Sequence, residues 1–301
     1  MRIKAAGQSL ELAPRRALVM GIVNVGDDSV ADELELSTLP QQLEQARRLL
    51  EAGAAIIDIG AQSGRTDTPI IAAEQEIAQL TPIVKALAAE GVVVSVDTWR
   101  AKVASAAIEA GAAIVNDVSG LADPEMASLI ARTGAALVLM HTRAAPKVRN
   151  FPGYEDPVHD VAAMLEELVG RAKDAGIASE QLILDPGLDF AKTPQESIEV
   201  LRRLGELHRF GLPLLLAVSR KYFIGMLTNR QPGQRLAGTL AAIAHGVDAG
   251  AQIVRVHDVA EVVDFLAVRD ALRSEGPATL LGDPDAESLK WIPPKSSSGS
   301  L

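Results

Sequence analysis

The sequence contains no cysteine among its 301 residues. This absence excludes disulfide bonds and thiolate catalysis, and it fits a reducing compartment. Net positive charge is also absent, because 39 Asp and Glu residues outnumber 29 Lys and Arg residues and give a formal net charge of −10 at pH 7. A protein that binds nucleic acid over a broad surface needs a positive field across its footprint, so we predict no nucleic-acid partner.

Long apolar runs are missing as well. Although 48% of the residues are hydrophobic, polar residues interrupt every apolar stretch before it reaches the roughly 20 residues that span a bilayer. The N-terminal stretch MRIKAAGQSLELAPRRALVM lacks the continuous apolar segment of a secretory signal. We therefore expect no membrane partner and a cytoplasmic location.

Short apolar stretches that turn polar at their C-terminal end recur along the chain. In order, they are GIVNV, IIDIG, VVSVDT, IVNDV, LVLMH, LILDPG, LLAVSRK and IVRVHD. Segments with helical periodicity separate them, and this alternation predicts parallel strands whose polar ends meet at one edge. The predicted strands are 17–25, 55–60, 92–98, 112–118, 136–142, 181–187, 213–219 and 252–258. This repetition predicts an α/β fold, a (β/α)8 TIM barrel, with its site at the carboxyl ends of the strands.

The domain organisation follows from the same alternation. A (β/α)8 barrel needs roughly 250 residues as one unit, and no linker interrupts the pattern, so we predict a single domain over residues 1–275. Residues 2–13 are predicted to form a β-hairpin that covers the bottom of the barrel. Residues 276–301 are rich in Gly, Asp, Pro and Ser, and we predict a flexible tail there.

The polar strand ends also carry a resemblance to a known family. Residues 20–32, followed in order by SVDT, NDVSG, LMH, LDPG, SRK and RVHD, resemble the dihydropteroate synthase family of pterin-binding barrels. The similarity extends over about residues 17–270. It implies a transferase of folate biosynthesis that condenses 6-hydroxymethyl-7,8-dihydropterin pyrophosphate with p-aminobenzoate, and it implies a homodimer formed by late helices.

The resemblance implies a pterin pocket deep in the barrel mouth. Its pterin contacts match Asp97, Asn116, Met140, Asp185, Phe190 and Lys221. A carboxylate such as Asp185 can accept two adjacent donors of an aminopyrimidinone edge, while Lys221 can donate to an oxo group or ring nitrogen. Asp97 would also stabilise positive charge on the pterin methylene. Catalytic roles are further implied for Asp28 and Arg65.

The family's substrate carries a pyrophosphate, and a second group of residues matches the positions that hold it. These residues are Asn24, Arg65, Arg255 and His257. In the family, the position of Asn24 lies close to a magnesium ion, so the resemblance implies Mg²⁺ as a cofactor when the pyrophosphate substrate is bound. Magnesium and arginine would stabilise the leaving group.

Two loops depart from the family pattern. After the first strand the usual Asn-Val-Thr-Pro-Asp-Ser-Phe is replaced by NVGDDSV, and after the second strand Ser-Thr-Arg-Pro-Gly is replaced by SGRTD. The lost phenylalanine removes an aromatic wall worth about 0.5 to 1.5 kcal/mol, and the lost prolines make both loops costlier to order. Asp189 replaces a usual glycine, and Tyr222 replaces a common small serine. We predict a divergent paralogue that binds pterin with weak or absent synthase turnover, the alternative being an active synthase.

Two other enzyme classes fit the sequence less well. A methyltransferase of the same superfamily would bind methyltetrahydrofolate in a similar barrel, but the phosphate-binding positions in SRK and RVHD argue against it. A metal-dependent barrel hydrolase would carry a His pair on the first strand, where this chain has Asn24. We interpret His141 as a core or supporting histidine, and Asp58 as a residue that stabilises neighbouring strand ends.

Overall fold

The computed structural model describes residues 1–13, 16–26, 38–62 and 69–274. Strands β1 (Arg2–Ala5) and β2 (Gln8–Glu11) pair antiparallel as a hairpin. The following strands are β3 (Leu18–Asn24), β4 (Ile56–Gly60), β5 (Val94–Asp97), β6 (Ile114–Asp117), β7 (Ala136–Met140), β8 (Leu182–Asp185), β9 (Leu215–Leu216) and β10 (Ile253–Val256). Each of β3 to β10 lies within one of the eight predicted strand ranges.

Strands β3 to β10 form one parallel sheet in the order β8-β7-β6-β5-β4-β3-β10-β9. The sheet closes between β8 and β9, where the Leu184 N–H donates to the Pro213 carbonyl at 2.8 Å and Leu184 bridges to Leu214. The predicted (β/α)8 TIM barrel is therefore confirmed. Because all strands run in the same direction, their carboxyl ends meet at one rim.

Helices follow the strands. They are α1 (Leu39–Glu51), α2 (Ala73–Ala89), α3 (Ala101–Glu109), α4 (Met126–Thr133), α5 (Pro157–Asp174), α6 (Pro194–Arg202), α7 (Tyr222–Thr228), α8 (Leu236–Asp248) and α9 (Val259–Arg273). The sequence pattern did not predict α7, because its seven residues are too few to establish a helical period and include Gly225. The other helices lie between or after the predicted strands, where the sequence shows helical periodicity.

Apolar side chains fill both faces of the barrel strands. On β4, Ile56 belongs to the cluster inside the barrel, whereas Ile57 and Ile59 belong to the cluster between sheet and helices. This alternation places the side chain of Asp58 on the inner face. The inner cluster consists mainly of residues near the amino ends of the strands, so the polar site lies directly above an apolar floor.

The N-terminal hairpin closes the amino end of the barrel. Ile3, Ala5 and Leu12 pack into the inner cluster together with Met20 and Ile56, and both Ile3 and Ala5 are fully buried. This confirms the predicted hairpin at the bottom of the barrel. The predicted flexible tail at 276–301 lies outside the described residues, and none of the helices within the described ranges is both long and apolar enough to traverse a bilayer.

Candidate active site

A cavity of about 620 Å³ opens at the carboxyl ends of the barrel strands. Nine predicted site residues line it together: Asn24, Asp97, Asn116, Met140, Asp185, Phe190, Lys221, Arg255 and His257. Two others, Asp28 and Arg65, lie outside the described residues. The structure thus gathers every predicted site residue that it describes into one cavity.

A glycine leaves room at one side of this cavity. Gly60 ends β4, between Asn24 at the end of β3 and Asp97 at the end of β5. A Cβ atom at this position would lie 3.4 Å from the Cβ of Asp97 and 3.8 Å from Oδ1 of Asn24. A methyl group here would make ordinary van der Waals contact with both residues, whereas a longer side chain would take up space between Asn24 and Asp97 at the cavity wall.

Arg255 joins two carboxylates at the centre of the rim. Its Nε donates to Oδ2 of Asp58 at 2.6 Å, and its Nη2 donates to Oδ2 of Asp97 at 2.9 Å. Nδ2 of Asn116 donates to the same Asp58 oxygen at 3.2 Å. Asp58 therefore holds side chains from β6 and β10, which confirms its interpretation as a strand-end stabiliser.

The electrostatic balance around Asp97 suits a residue that works near neutral pH. Burial raises the pKa of Asp97 to about 7, the Arg255 cation opposes this rise, and the nearby Asp58 adds to it. The side chain of Asp97 retains 19% exposure toward the cavity. A carboxyl group with such a pKa can change its protonation state when a charged ligand arrives.

Asp185 is held by the segment that follows β8. Its Oδ1 accepts a hydrogen bond from the Gly187 N–H at 2.7 Å, while burial raises the pKa of the carboxyl group. Gly187 has a φ of +64°, and a Cβ there would lie 2.0 Å from the carbonyl oxygen of His141. This turn therefore requires glycine, and it fixes the carboxylate that is predicted to recognise the pterin.

Lys221 lies over the ring of Phe190, with Nζ 4.4 Å from the ring centroid. Burial lowers the pKa of Lys221, and the nearby carboxylates of Asp189 and Asp185 act in the opposite direction. Such a cation over an aromatic face is stabilised by the ring quadrupole. Lys221 and Phe190 therefore form a paired wall of the cavity.

Asp189 has a definite structural role despite its departure from the family pattern. Its Oδ2 accepts hydrogen bonds from the backbone N–H groups of Tyr222 and Phe223. These are the first residues of α7, so Asp189 caps the helix that begins directly after Lys221. Its backbone has a φ of +63°, a conformation that aspartate tolerates better than most residues.

Neighbouring polar residues mainly support the rim. Nδ1 of His257 lies 2.9 Å from Oγ of Ser219, and Arg220 forms an ion pair with Asp258. The carboxylate of Asp117 accepts from the backbone N–H groups of Ser119 and Leu121. Asp117, the last residue of β6, therefore holds the turn that follows the strand, whereas its neighbour Asn116 lines the cavity.

Sequence reasoning missed one buried cation near the site. Lys192 is only 1% exposed, and its Nζ lies 2.7 Å from Nδ1 of His141. His141 is fully buried and contacts Asp160 through Nε2 at 2.8 Å. The core position predicted for His141 is confirmed. Its partnership with Lys192, 51 residues away in sequence, carries no local signal.

Comparisons with known proteins agree with this geometry. The profile of the family described as pterin binding enzyme matches residues 20–257. Dihydropteroate synthase of Synechocystis sp. is 41% identical over 270 residues, covering 88% of this chain and 93% of the relative. The Escherichia coli dihydropteroate synthase is 39% identical over 276 residues, covering 91% and 97%.

Solved structures show the same similarity. Xanthomonas albilineans dihydropteroate synthase with 4-aminobenzoic acid has a TM-score of 0.85 and 37% identity, covering 91% of this chain and 99% of that chain. The same enzyme in complex with 7,8-dihydropteroate has a TM-score of 0.82 and 36% identity, covering 92% and 100%.

The family profile and the barrel fold together identify a barrel protein of the pterin-binding class. Within that class, the chain belongs to the dihydropteroate synthase family.

Proposed function

We propose that this protein is an active dihydropteroate synthase that joins a dihydropterin pyrophosphate to p-aminobenzoate. The observation that carries the proposal is the gathering of nine predicted site residues around one cavity at the carboxyl rim. The named relatives, which align over nearly their whole length, support it. They favour the active alternative over the weak or absent turnover that the two loop sequences predict.

Pterin recognition would use the inner part of the cavity. The Asp185 carboxylate accepts hydrogen bonds from the amino group and ring N–H of the pterin, and Lys221 donates to its oxo group. Asn116 supplies a further polar contact. Met140 and Phe190 provide apolar walls for the fused ring. Each hydrogen bond to a charged partner contributes about 1.5 to 3 kcal/mol to binding. A ligand without the matching group would leave that buried charge unpaired.

The reaction breaks the C–O bond between the pterin methylene and pyrophosphate, and it forms a C–N bond to the amine of p-aminobenzoate. Pyrophosphate departs with the bonding electron pair, and the amine nitrogen then releases one proton to solvent. Arg255 and His257 stabilise the leaving group, while Asp97 stabilises positive charge on the methylene. Positioning of the two substrates in one cavity lowers the barrier further. Catalytic roles for Asp28 and Arg65 form part of the same proposal.

Magnesium fits this site as a partner of the substrate. Among the described residues, no group of three or more His, Asp or Glu side chains is arranged to hold a metal ion. Mg²⁺ commonly takes one or two protein ligands together with phosphate oxygens and water, and Asn24 offers an amide oxygen at the cavity wall. When bound, the ion would neutralise charge on the departing pyrophosphate.

The assembly proposed for the protein rests on the family resemblance. We propose a homodimer that uses late helices, where α7 exposes Met226 and Leu227 at 58% and 67%. Sedimentation at micromolar concentration should give the mass of two chains, and a monomer mass would contradict the proposal. The cytoplasmic location stays a prediction.

A steady-state assay tests the proposed activity. The unaltered protein is expected to form dihydropteroate from the pterin pyrophosphate, p-aminobenzoate and Mg²⁺, and Asp97→Asn is expected to lower kcat by about 10-fold or more. Absence of product in the presence of pterin binding would instead support the weak-turnover prediction. Absence of both would refute the assignment to pterin chemistry.

A further inference from the structure

Four connected side chains lie behind the cavity wall and are here called the Lys192 cluster: Lys192, His141, Asp160 and Arg143. Lys192 lies in the connection from β8 to α6, directly after the segment 186–191 that contains Phe190. His141 follows β7 directly, whereas Asp160 belongs to α5. The cluster therefore ties together three elements, one of which forms part of the proposed pterin site.

The ammonium group of Lys192 has three acceptors. Besides Nδ1 of His141 at 2.7 Å, Nζ donates to the carbonyl oxygens of Gly187 at 2.9 Å and Phe190 at 3.2 Å. An ammonium group has three protons to donate and no acceptor capacity. All its protons are therefore used, and two of them fix both ends of the turn that carries Phe190.

The protonation state of His141 follows from these contacts. Because Lys192 donates to Nδ1, this nitrogen carries no proton, and the ring proton lies on Nε2, where it is donated to Asp160. Arg143 pairs with both oxygens of Asp160, at 2.9 and 3.1 Å. Burial and the Lys192 cation both lower the pKa of His141, which agrees with a neutral ring. Burial also lowers the pKa of Lys192 to about 7. The Asp160 carboxylate, by accepting the Nε2 proton, leaves Nδ1 as an acceptor that favours a protonated Lys192.

The segment 186–191 needs such support. Gly187, Asp189 and Ala191 all have positive φ values, of 64°, 63° and 49°. Two of these residues carry a Cβ, and such backbone conformations persist where the surroundings enforce them. The Tyr154 hydroxyl adds a hydrogen bond to the Ala191 carbonyl at 2.9 Å. The buried cation thus restrains a segment that would otherwise relax.

This segment forms two features of the proposed pterin site. The Gly187 N–H donates to Oδ1 of Asp185, and the ring of Phe190 lies beneath Nζ of Lys221. We propose that Lys192 is a positioning residue for the pterin substrate: its buried ammonium, oriented by neutral His141, holds the Asp185 carboxylate and the Phe190 ring in their binding geometry. The inference rests on the proposed function and assigns Lys192 no contact with the substrate.

The test compares Lys192→Met with the double variant Lys192→Met/His141→Leu. The single change leaves polar groups buried without a partner, which destabilises the fold. The double change replaces both partners of the Lys192–His141 hydrogen bond with apolar groups, which is less costly than leaving one partner buried alone. Neither variant supplies a donor to the carbonyls of Gly187 and Phe190. Lys173→Met, on the exposed face of α5, serves as the matched control.

Calorimetry measures the Kd of 6-hydroxymethyl-7,8-dihydropterin pyrophosphate with Mg²⁺, and thermal unfolding measures stability. We expect Kd to rise about 10-fold or more in both variants, as for loss of a buried hydrogen-bond partner. The double variant should regain thermal stability without regaining affinity, while KM for p-aminobenzoate stays within about twofold of the unaltered value. The control should match the unaltered protein in every respect.

A folded variant that binds the pterin pyrophosphate with the unaltered Kd would overturn the inference and leave Lys192 a purely structural role. If neither variant folds, an NMR measurement on the unaltered protein tests the inference instead. A slowly exchanging ¹⁵N signal of the Lys192 ammonium that shifts when pterin pyrophosphate binds supports the inference, and an unmoved signal overturns it. Failure of the unaltered protein to bind would instead refute the proposed function, and this inference with it.

Discussion

The carboxyl ends of the barrel strands bury charged side chains, whereas the amino ends are closed by apolar side chains of the N-terminal hairpin. At the carboxyl rim, Asp58 is fully buried and its Oδ1 accepts no hydrogen bond from any described residue. At the amino end, Ile3 and Ala5 are equally buried but carry no polar group. The two ends of one sheet thus bury opposite kinds of side chain, charged at the carboxyl ends and apolar at the amino ends.

This difference in buried side chains assigns folding stability mainly to the amino end and ligand recognition to the carboxyl rim. Burial of apolar surface stabilises the amino end without any ligand. At the carboxyl rim, burial raises the pKa of Asp97 and Asp185 and lowers that of Lys221, so these charges lose solvation that a polar ligand could replace. We therefore expect changes at the amino end to alter unfolding and changes at the rim to alter binding.

The largest effect is expected from a change at the amino end. Ile3→Ala removes a fully buried side chain from the inner cluster and should lower the free energy of unfolding by about 2 to 5 kcal/mol. Urea denaturation measures this, and Val268→Ala on the exposed face of α9 is the control. The KM for either substrate should not change. A stable variant with impaired substrate binding would contradict the assignment of stability to the amino end and binding to the rim.

At the rim, Asp185→Asn should weaken pterin binding by about 10- to 150-fold, the equivalent of one charged hydrogen bond. The carboxylate loses its charge and exchanges an acceptor oxygen for a donor amide. Calorimetry with the pterin pyrophosphate measures the change, using Asp264→Asn on exposed α9 as the control. Unaltered affinity would show that the pterin lies elsewhere.

The pH dependence of stability sharpens the same comparison. The pKa of Asp97 rises from 3.8 to about 7 in the folded protein, so the folded state binds this proton more tightly than the unfolded state. The contribution of Asp97 to stability therefore falls as pH rises from about 4 to about 7. Thermal unfolding of unliganded Asp97→Asn should show a weaker loss over this range. Parallel curves for the variant and the unaltered protein would contradict the proposed burial effect.

The smallest effect is expected at Asp189, whose side chain stabilises the start of α7 while its positive φ strains the backbone. Asp189→Ala loses the cap of α7 and keeps the positive φ, so it should cost about 1 to 2 kcal/mol of stability. Asp189→Gly loses the same cap but relieves the backbone, and should lie within about 1 kcal/mol of the unaltered protein. Urea denaturation compares the pair. Equal losses would show that the backbone carries no strain.

Much of the fold, and most of the residues at the carboxyl rim, could be predicted because the sequence patterns that indicate them are local. The strands are apolar runs that end in Asn, Asp, Lys or Arg, and a parallel barrel must bring those ends together. Helix α7 escaped prediction because it is short, and Asp58 binds an arginine 197 residues away. Lys192 gave no signal, since lysine is seldom fully buried without a partner, and its partners come from distant elements.

The most direct measurement is a calorimetric titration of the unaltered protein with 6-hydroxymethyl-7,8-dihydropterin pyrophosphate, in the presence and absence of Mg²⁺. A rim that recognises the pterin predicts saturable binding of one ligand per chain, tighter when Mg²⁺ is present. It also predicts competition by the corresponding pterin without its pyrophosphate. Absence of saturable binding under both conditions would contradict the assignment of the buried rim charges to pterin recognition.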